Sequence, residues 1–529
     1  METQALAHRA KRKKTETTEG PGQDGEAIFP SLPATNASDP NPPGAGGDKP
    51  HCQGPPSGAG GGQEDGVDRI SLLPDAILGE VISLLPTKDA ARTQTLATRW
   101  RHLWCSAPLN LDEVALANGG APSSGALGAL AGVVSHILSA HQGPGRRFRV
   151  CFQHLQIDPA TVDAWLQSPA LDNLQEIDFF RMPYAPILPQ QPPPPASFFR
   201  FSSCLRVTTL SQCHLSDDIA QTLQFPLLKK LALQRVSISE DSLQSIIAGC
   251  PVLECFLLKW SSGFRCVRIN SASLTSIGVG NSYRNGVPNI EEFVIEDAPY
   301  LERFLYLHRH GSLRLSVISA PKLETLGPLH DYDNDDSSRV ALGSTIIQPR
   351  HMRGFQPQAI SSATRACTIK ILALKFLTLS LDVIIDLMRS LPCLEKLYIE
   401  PCRGGGNNAW RRKHRNLIRS LDIRLKTVVL NEYRGIRSEV NFATFFILNA
   451  KMLESMRFQG AFDRKSKWFV AEQHRLLQLE KRASRDARFY FTSDSCTHDF
   501  LHINHVHDLS IADPFECVKT KVGVCESFE

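Results

Sequence analysis

The sequence predicts an α/β protein in three parts: a short helical module, a long solenoid of strand-and-return repeats, and a C-terminal strand–helix–strand segment. Three observations carry this. Between Asp68 and Asp112 three helical patterns follow one another within 45 residues. From Leu174 to Leu453 the phrase L-x-x-L-x-L recurs, with Ile or Phe replacing Leu at some positions. From about Trp410 the repeat gives way to an alternating strand pattern and then a Phe-rich helical one.

The first helical pattern opens at Leu73 and Pro74, because proline is tolerated early in a helix where its missing N–H has no partner anyway. Ile77, Leu78, Val81, Ile82 and Leu85 then form one wide apolar stripe. Pro86 stops this helix. Thr87 is placed to cap the next, with Asp89 in its first turn, and Trp100, Leu103 and Trp104 make a third stripe. A module this small cannot bury enough surface to offset its chain entropy unaided, so it calls for a partner. The order LPD, LLPTKDA, RWRHLW resembles the plant form of the F-box. That resemblance implies docking on a Skp-type adaptor and, through it, a cullin scaffold. By the same resemblance Leu73, Pro74, Ile77, Leu78, Ile82, Leu85 and Pro86 are the expected adaptor contacts. Leu96 and Trp100 complete the docking set, buried between the helices with Trp104. Thr98 stands where relatives place a basic residue.

Composition narrows the class. The chain has 529 residues, 42% hydrophobic and 21% charged, which describes a globular protein. No run of about 18 uncharged apolar residues and no apolar leader core occurs, so no membrane association is expected. The 14 cysteines form no C-x-x-C pair and are expected to be reduced and mostly buried in the nucleus or cytoplasm. A net charge of +4 does not by itself demand nucleic acid. Residues 1–66 are rich in Gly, Pro, Ser and Gln and are expected to be a disordered arm. Its basic run Lys11, Arg12, Lys13, Lys14 reads equally as a nuclear import signal or a solvated cluster.

The repeats begin at Leu174, Leu205, Leu228, Leu253, Leu274, Ile290, Leu301, Ile369, Leu394, Leu425 and Leu453. This is the signature of leucine-rich repeats, in which each unit adds one parallel strand and a return on the convex side, and stacking buries a continuous core. Two returns read as helices: EDSLQSIIAGCP, with Leu243, Ile246 and Ile247, and LDVIIDLMRSLP. If Leu228, Leu231 and Leu233 face inward, the intervening residues look out on the concave side. Lys230, Gln234, Glu292, Glu296, Lys396, Tyr398 and Glu400 are therefore the candidate target contacts, with Val294 beside them. LPQQPPPPAS (188–197) and DYDNDDSSR (331–339) read as surface insertions.

In the last part, Leu425 to Leu430 alternates as a strand, Tyr433, Arg434 and Gly435 turn the chain, and Ser438 is placed to cap a helix through Phe442, Phe445 and Phe446. YRG, SEVNFATFFILNA and MLESM resemble the FBD domain of plant F-box proteins, and FYFTSD and HINHVHDLSIADPFEC resemble its grass members. Cys496, His498, His502, His505 and His507 have thiol and imidazole donors but fit no standard zinc spacing, and alternation in HINHVHDLSI argues for a strand with Ile503, Val506, Leu509 and Ile511 on it.

The expected organisation is thus a disordered arm (1–66), an F-box (67–112), a linker (113–149), leucine-rich repeats (150–408) and an FBD-like αβ cap (409–529). No G-x-S-x-G, G-x-x-x-x-G-K-[ST] or H-E-x-x-H motif is present, so no enzyme, cofactor or metal is expected. Two readings follow. The first is a substrate-recognition subunit of a Skp/cullin/F-box ubiquitin ligase with an unknown protein target. The second is a nuclear interaction or nucleic-acid-binding scaffold without a ligase role, nucleic acid being met by Trp410 beside Arg411, Arg412, Lys413, His414 and Arg415.

Overall fold

A computed structural model describes residues 69–70, 72–116, 124–180, 191–281, 283–284, 287–288, 290–307, 313–331, 339–343, 345–347, 368–403, 408–410, 421–460, 467–493 and 503–516. The basic run Lys11–Lys14, Cys496, His498, His502 and residues 411–415 lie outside them, as does most of the acidic insertion. Among the described residues no helix is long and apolar enough to cross a membrane.

The helical module has three short helices: α1 (Asp75–Leu84), α2 (Thr87–Arg92) and α3 (Thr98–Ser106). The wide stripe on α1 resolves into two lines at helical spacing. Leu78 and Ile82 are buried with Ala90, Trp100, Leu103 and Ala107, and Leu85 packs against them. One residue earlier in each turn, Ile77, Val81 and Leu84 face out. Arg99 holds α3 to α1 by donating to the Asp75 carboxylate and to the Leu73 carbonyl. Thr87 does not cap α2, whose N-cap is Pro86. Its hydroxyl instead donates to the Asn110 carbonyl at 2.8 Å and accepts from the Asp112 N–H at 2.9 Å, tying the module to the first strand of the solenoid.

Fourteen parallel strands form one sheet: Leu109–Asp112, Gly145–Cys151, Glu176–Phe180, Val207–Ser211, Lys230–Gln234, Cys255–Lys259, Ser276–Gly280, Arg303–Tyr306, Thr325–Asp331, Ile371–Thr378, Lys396–Arg403, Thr427–Leu430, Ser455–Gly460 and Arg488–Ser493. Their register aligns one inward ladder, Leu231, Phe256, Ile277, Phe304, Leu326, Leu372, Leu397, Val428 and Met456. Each repeat start except Ile290 lies two residues before a strand of this sheet. Its side chain plugs the turn into the strand, and Leu174, Leu205, Leu228, Leu274, Leu301 and Leu425 are wholly buried.

Within the stretch expected as a linker, 113–149, the described residues are structured. A helix, Ser124–Ala140, buries Leu127, Val134 and Leu138, and Gly145–Cys151 joins the sheet. Helical returns appear where expected, at Glu240–Ala248 and Leu381–Ser390. Between them, however, the returns are strands. Cys266–Asn270, Glu292–Asp297, Arg314–Val317 and Arg339–Leu342 pair in parallel, and Thr345–Ile347 closes this second sheet antiparallel. The cause is periodicity: in CVRIN, Val267 and Ile269 are buried while Arg268 points out, a two-residue alternation no helix can satisfy. Ile290 therefore opens a return strand and not a repeat.

In the C-terminal part the YRG turn is built from buried polar contacts. The Tyr433 hydroxyl donates to Gln473 Oε1 at 2.7 Å. Glu439, 1% exposed, accepts from the Arg434 N–H at 2.8 Å and from its guanidinium. The helix Arg437–Asn449 accordingly has Ile436 as N-cap, not Ser438, which is buried inside its first turn. Gly435 sits at φ +72°, and a Cβ there would come within 2.7 Å of Gln473 Nε2.

Candidate partner-docking surfaces

The first surface lies on the helical module. Leu73, Ile77, Val81, Leu84 and Leu96 are all exposed, Leu84 at 79% and Leu96 at 66%. Pro74 and Pro86 are exposed as well. Apolar side chains concentrated on one small module mark an interaction face. Of the expected adaptor contacts, Leu78, Ile82 and Trp100 are instead the module's own core, and Leu85 is half-buried. Leu96, expected between the helices, points to solvent because the short 3-10 turn Thr93–Thr95 carries it past the core. Val81 and Leu84 belong to this face. The helical period, splitting one wide stripe into an inner and an outer line, is the signal that identifies them.

The second surface is the sheet's outward face. Its outward ladder runs Arg149, Asp178, Thr209, Ala232, Leu257, Gly278, Leu305 and Gly327. A strap of the chain's own C-terminal residues, Ile503–Glu516, lies across it. Ile503, Val506, Leu509 and Phe515 pack on Ala232, Cys255, Leu257, Leu305, Ala373, Tyr398 and Val429 in an apolar cluster separate from the repeat core. Gly278 makes room for this, since a Cβ there would stand 2.8 Å from Leu509 Cδ2.

Polar anchors flank the cluster. His505 Nε2 lies 3.1 Å from Asp178 and His507 Nε2 lies 3.2 Å from Glu176. Lys230 Nζ donates to Ser510 Oγ at 3.0 Å, and Lys259 Nζ donates to the Ile503 carbonyl at 2.8 Å. Lys396 Nζ and the Tyr398 hydroxyl both donate to Asp513, at 2.8 and 2.9 Å, and Arg457 reaches Glu516 at 3.0 Å. Burial under the strap lowers the Lys259 ammonium to about 8, with Asp508 opposing and Arg235 adding to the shift. Burial alone would raise the Glu176 and Asp178 carboxyls. The hydrogen bonds from His507 and His505, with the charges of Arg147 and Arg149, bring both below their ordinary values.

Three of the expected target contacts, Lys230, Lys396 and Tyr398, are thus engaged by the chain itself. Glu400 pairs with Lys375, and Gln234 is half-buried at the end of its strand. Glu292 and Glu296 are not on this face at all. They lie in the second sheet, where Glu296 pairs with Arg268 at 3.1 Å and Val294 is buried. The strap was not legible as alternation because it forms a 3-10 turn, Val506–Ser510, and its apolar residues fall every third position.

Glu176, His505 and His507 offer three ligand atoms within 4.8 Å of one another. Yet Glu176 already pairs with Arg147 at 3.0 Å and His507 Nδ1 lies 3.3 Å from Lys230, so protein cations supply the positive charge a metal would bring. Trp410, the aromatic of the basic cluster, is not a stacking platform. It is 9% exposed and packs edge-on against Phe445 at 5.6 Å. Cys105, Cys151, Cys204, Cys213, Cys250, Cys255, Cys266 and Cys393 are free, and burial pushes Cys213 and Cys250 up to about 12, which leaves them inert thiols.

Comparison with known proteins matches the F-box domain to residues 70–112 and the FBD to residues 413–458. Residues 162–399 match the leucine-rich repeats of the FBD-associated F-box protein At5g56370. The chain has the make-up of the plant F-box/leucine-rich-repeat/FBD proteins. It is 29% identical over 211 residues to the F-box/FBD/LRR-repeat protein At1g13570 of Arabidopsis thaliana, covering 36% of this chain and 44% of that one. It is 28% identical over 331 residues to the putative F-box/FBD/LRR-repeat protein At5g22610 of the same plant, covering 59% and 57%. The putative FBD-associated F-box protein At5g22720 is 25% identical over 437 residues, covering 74% and 87%. The chain thus spans about half the length of the first two relatives. The F-box match takes in α1, α2, α3 and the strand Leu109–Asp112, and the FBD match includes the YRG turn and the helix Arg437–Asn449.

Proposed function

We propose that this chain is a non-catalytic, substrate-recognition subunit of a Skp/cullin/F-box ubiquitin ligase in the nucleus or cytoplasm. The F-box binds the Skp-type adaptor, the repeats bind a protein target, and ubiquitin transfer follows from proximity, which raises the effective concentration of a target lysine. The observation that carries this reading is the outward line Leu73, Ile77, Val81, Leu84 and Leu96, apolar side chains that the F-box's own core does not use.

The test is a pull-down of a Skp-type adaptor by the full chain. Leu73→Ala/Pro74→Ala and Ile77→Asp/Leu84→Asp should each weaken capture. The aspartates should do so by about a hundredfold or more, because each replaces roughly 1 kcal/mol of burial with a desolvated charge. Capture by neither the wild type nor any variant would reject the ligase reading. The alternative, a nuclear scaffold binding nucleic acid, predicts salt-sensitive retention on DNA or RNA instead. The burial of Trp410 counts against it.

A further inference from the structure

We infer that the outward face of the repeat sheet is a peptide-docking groove whose partner is a protein segment with the chemistry of the strap, and that Ile503–Glu516 occupies this groove in cis. Such a segment carries aliphatic side chains at three positions three apart. Four residues after the last comes an acid, and two further on an aromatic, as in Ile503, Val506, Leu509, Asp513 and Phe515.

Three features separate an occupant from a structural strand. First, among the described residues no backbone–backbone hydrogen bond joins the strap to the sheet. Its own main-chain bonds close only on itself, Asp508 to His505, Ile511 to Asp508 and Glu516 to Asp513. It is held by its side chains and by the Lys259 ammonium on the Ile503 carbonyl, contacts that a second segment with the same side chains also meets. Second, the floor is apolar with small positions set into it: Ala232, Gly278 and Ala373, on three separate strands, lie among the larger Leu257, Leu305, Tyr398 and Val429. The missing Cβ of Gly278 is the socket for Leu509. Third, the ends carry complementary polar groups, with Lys396 on Asp513 and Arg457 on Glu516 paired by charge at one side and carboxylates hydrogen-bonded to imidazoles at the other. The side-chain pattern of the occupant is thus read twice, by shape and by charge. Covering a charged lysine, Lys259, works against closure at neutral pH.

A target bearing this pattern would compete with the strap, which acts at the effective concentration of a tethered ligand, on the order of millimolar. The inference rests on the recognition role proposed above for the repeats. The assay needs no adaptor, so a chain that takes up the peptide yet fails to bind a Skp-type adaptor would separate the two readings.

The test uses the full-length chain and a fluorescent peptide of residues 503–516, read by anisotropy. The strap-opened variant Val506→Asp/Leu509→Asp should bind the peptide at least tenfold more tightly than the wild type does. Adding Gly278→Leu, which fills the Leu509 socket, should abolish that binding. A peptide carrying Asp513→Lys should bind the opened chain at least tenfold more weakly and recover on an opened chain carrying Lys396→Glu. Equal binding to wild type and opened variant overturns the inference, as does no binding to an opened variant that retains its far-UV circular dichroism. Collapse of that spectrum on opening the strap also overturns it, because the strap would then belong to the core of the fold.

Discussion

Replacing Lys259 by methionine should remove a specific pH dependence from closure of the strap. The lysine is 7% exposed, beneath Ile503, with its ammonium 4.8 Å above the Trp260 ring. Its native pKa is about 8 against an ordinary 10.5. Taking 10.5 for the lysine once the strap is open, the charged form is disfavoured by at most about 3 kcal/mol when it is closed. The sign follows from proton counts. Below pH 8 both closed and open states hold the proton and the full penalty stands. Between 8 and 10.5 only the open state holds it, so closure strengthens as pH rises, and above 10.5 the penalty is gone. Methionine keeps the bulk and removes the ammonium, at the loss of one hydrogen bond to the Ile503 carbonyl, about 1 kcal/mol. At pH 7 the variant strap should therefore open less readily by at most about 2 kcal/mol. That advantage should vanish and reverse by pH 10. Hydrogen exchange of residues 503–516, corrected for intrinsic rates, reads this opening free energy. Comparing the two proteins cancels shared titrations, such as those of the buried thiols. A wild-type-minus-variant difference that stays flat from pH 7.5 to 10.5 would refute the reasoning.

Three further outcomes are expected. Leu78→Ala, wholly buried in the F-box, should destabilise that module by about 2–4 kcal/mol and abolish adaptor capture through unfolding, visible as rapid proteolysis between α1 and α3. Tyr433→Phe removes the bond to Gln473 and should lower global stability in urea by about 1–3 kcal/mol, since the amide is left buried without that donor. Gly435→Ala should cost about 1–3 kcal/mol on the same measure, from a left-handed φ of +72° and a Cβ in contact with Gln473; an unchanged midpoint would mean the turn relaxes freely.

How much of this was legible in the sequence depends on which interactions are local. A repeat start such as Leu228 or Leu397's neighbour Leu394 is marked by its own spacing, because one strand's inward side chains alternate whatever their partners do. The same local logic located α1 and the two helical returns. What alternation does not carry is which sheet a strand joins. Glu292 and Glu296 share the pattern of the repeat strands, and only the pairing of Phe293 with Val267 and Leu315 places them in the second sheet. Nor does a stripe reveal how much of its width the module itself consumes. Ile77 and Leu78 are neighbours of like chemistry, and α3's Trp100 and Leu103 decide that Leu78 goes in. The strap is the extreme case. Its bonds to Asp178, Lys230 and Lys396 span more than 100 residues of chain each, so nothing near Ile503 announces them. Lys230, Lys396 and Tyr398 lie on the outward face of the sheet, and the groups they face in this structure are the chain's own Asp513 and Ser510. A surface chosen by pattern as a place for partners is, here, a surface already in use, and any target of the repeats must either bring contacts that outcompete those of Leu509 and Asp513 or bind beyond the strap's edge.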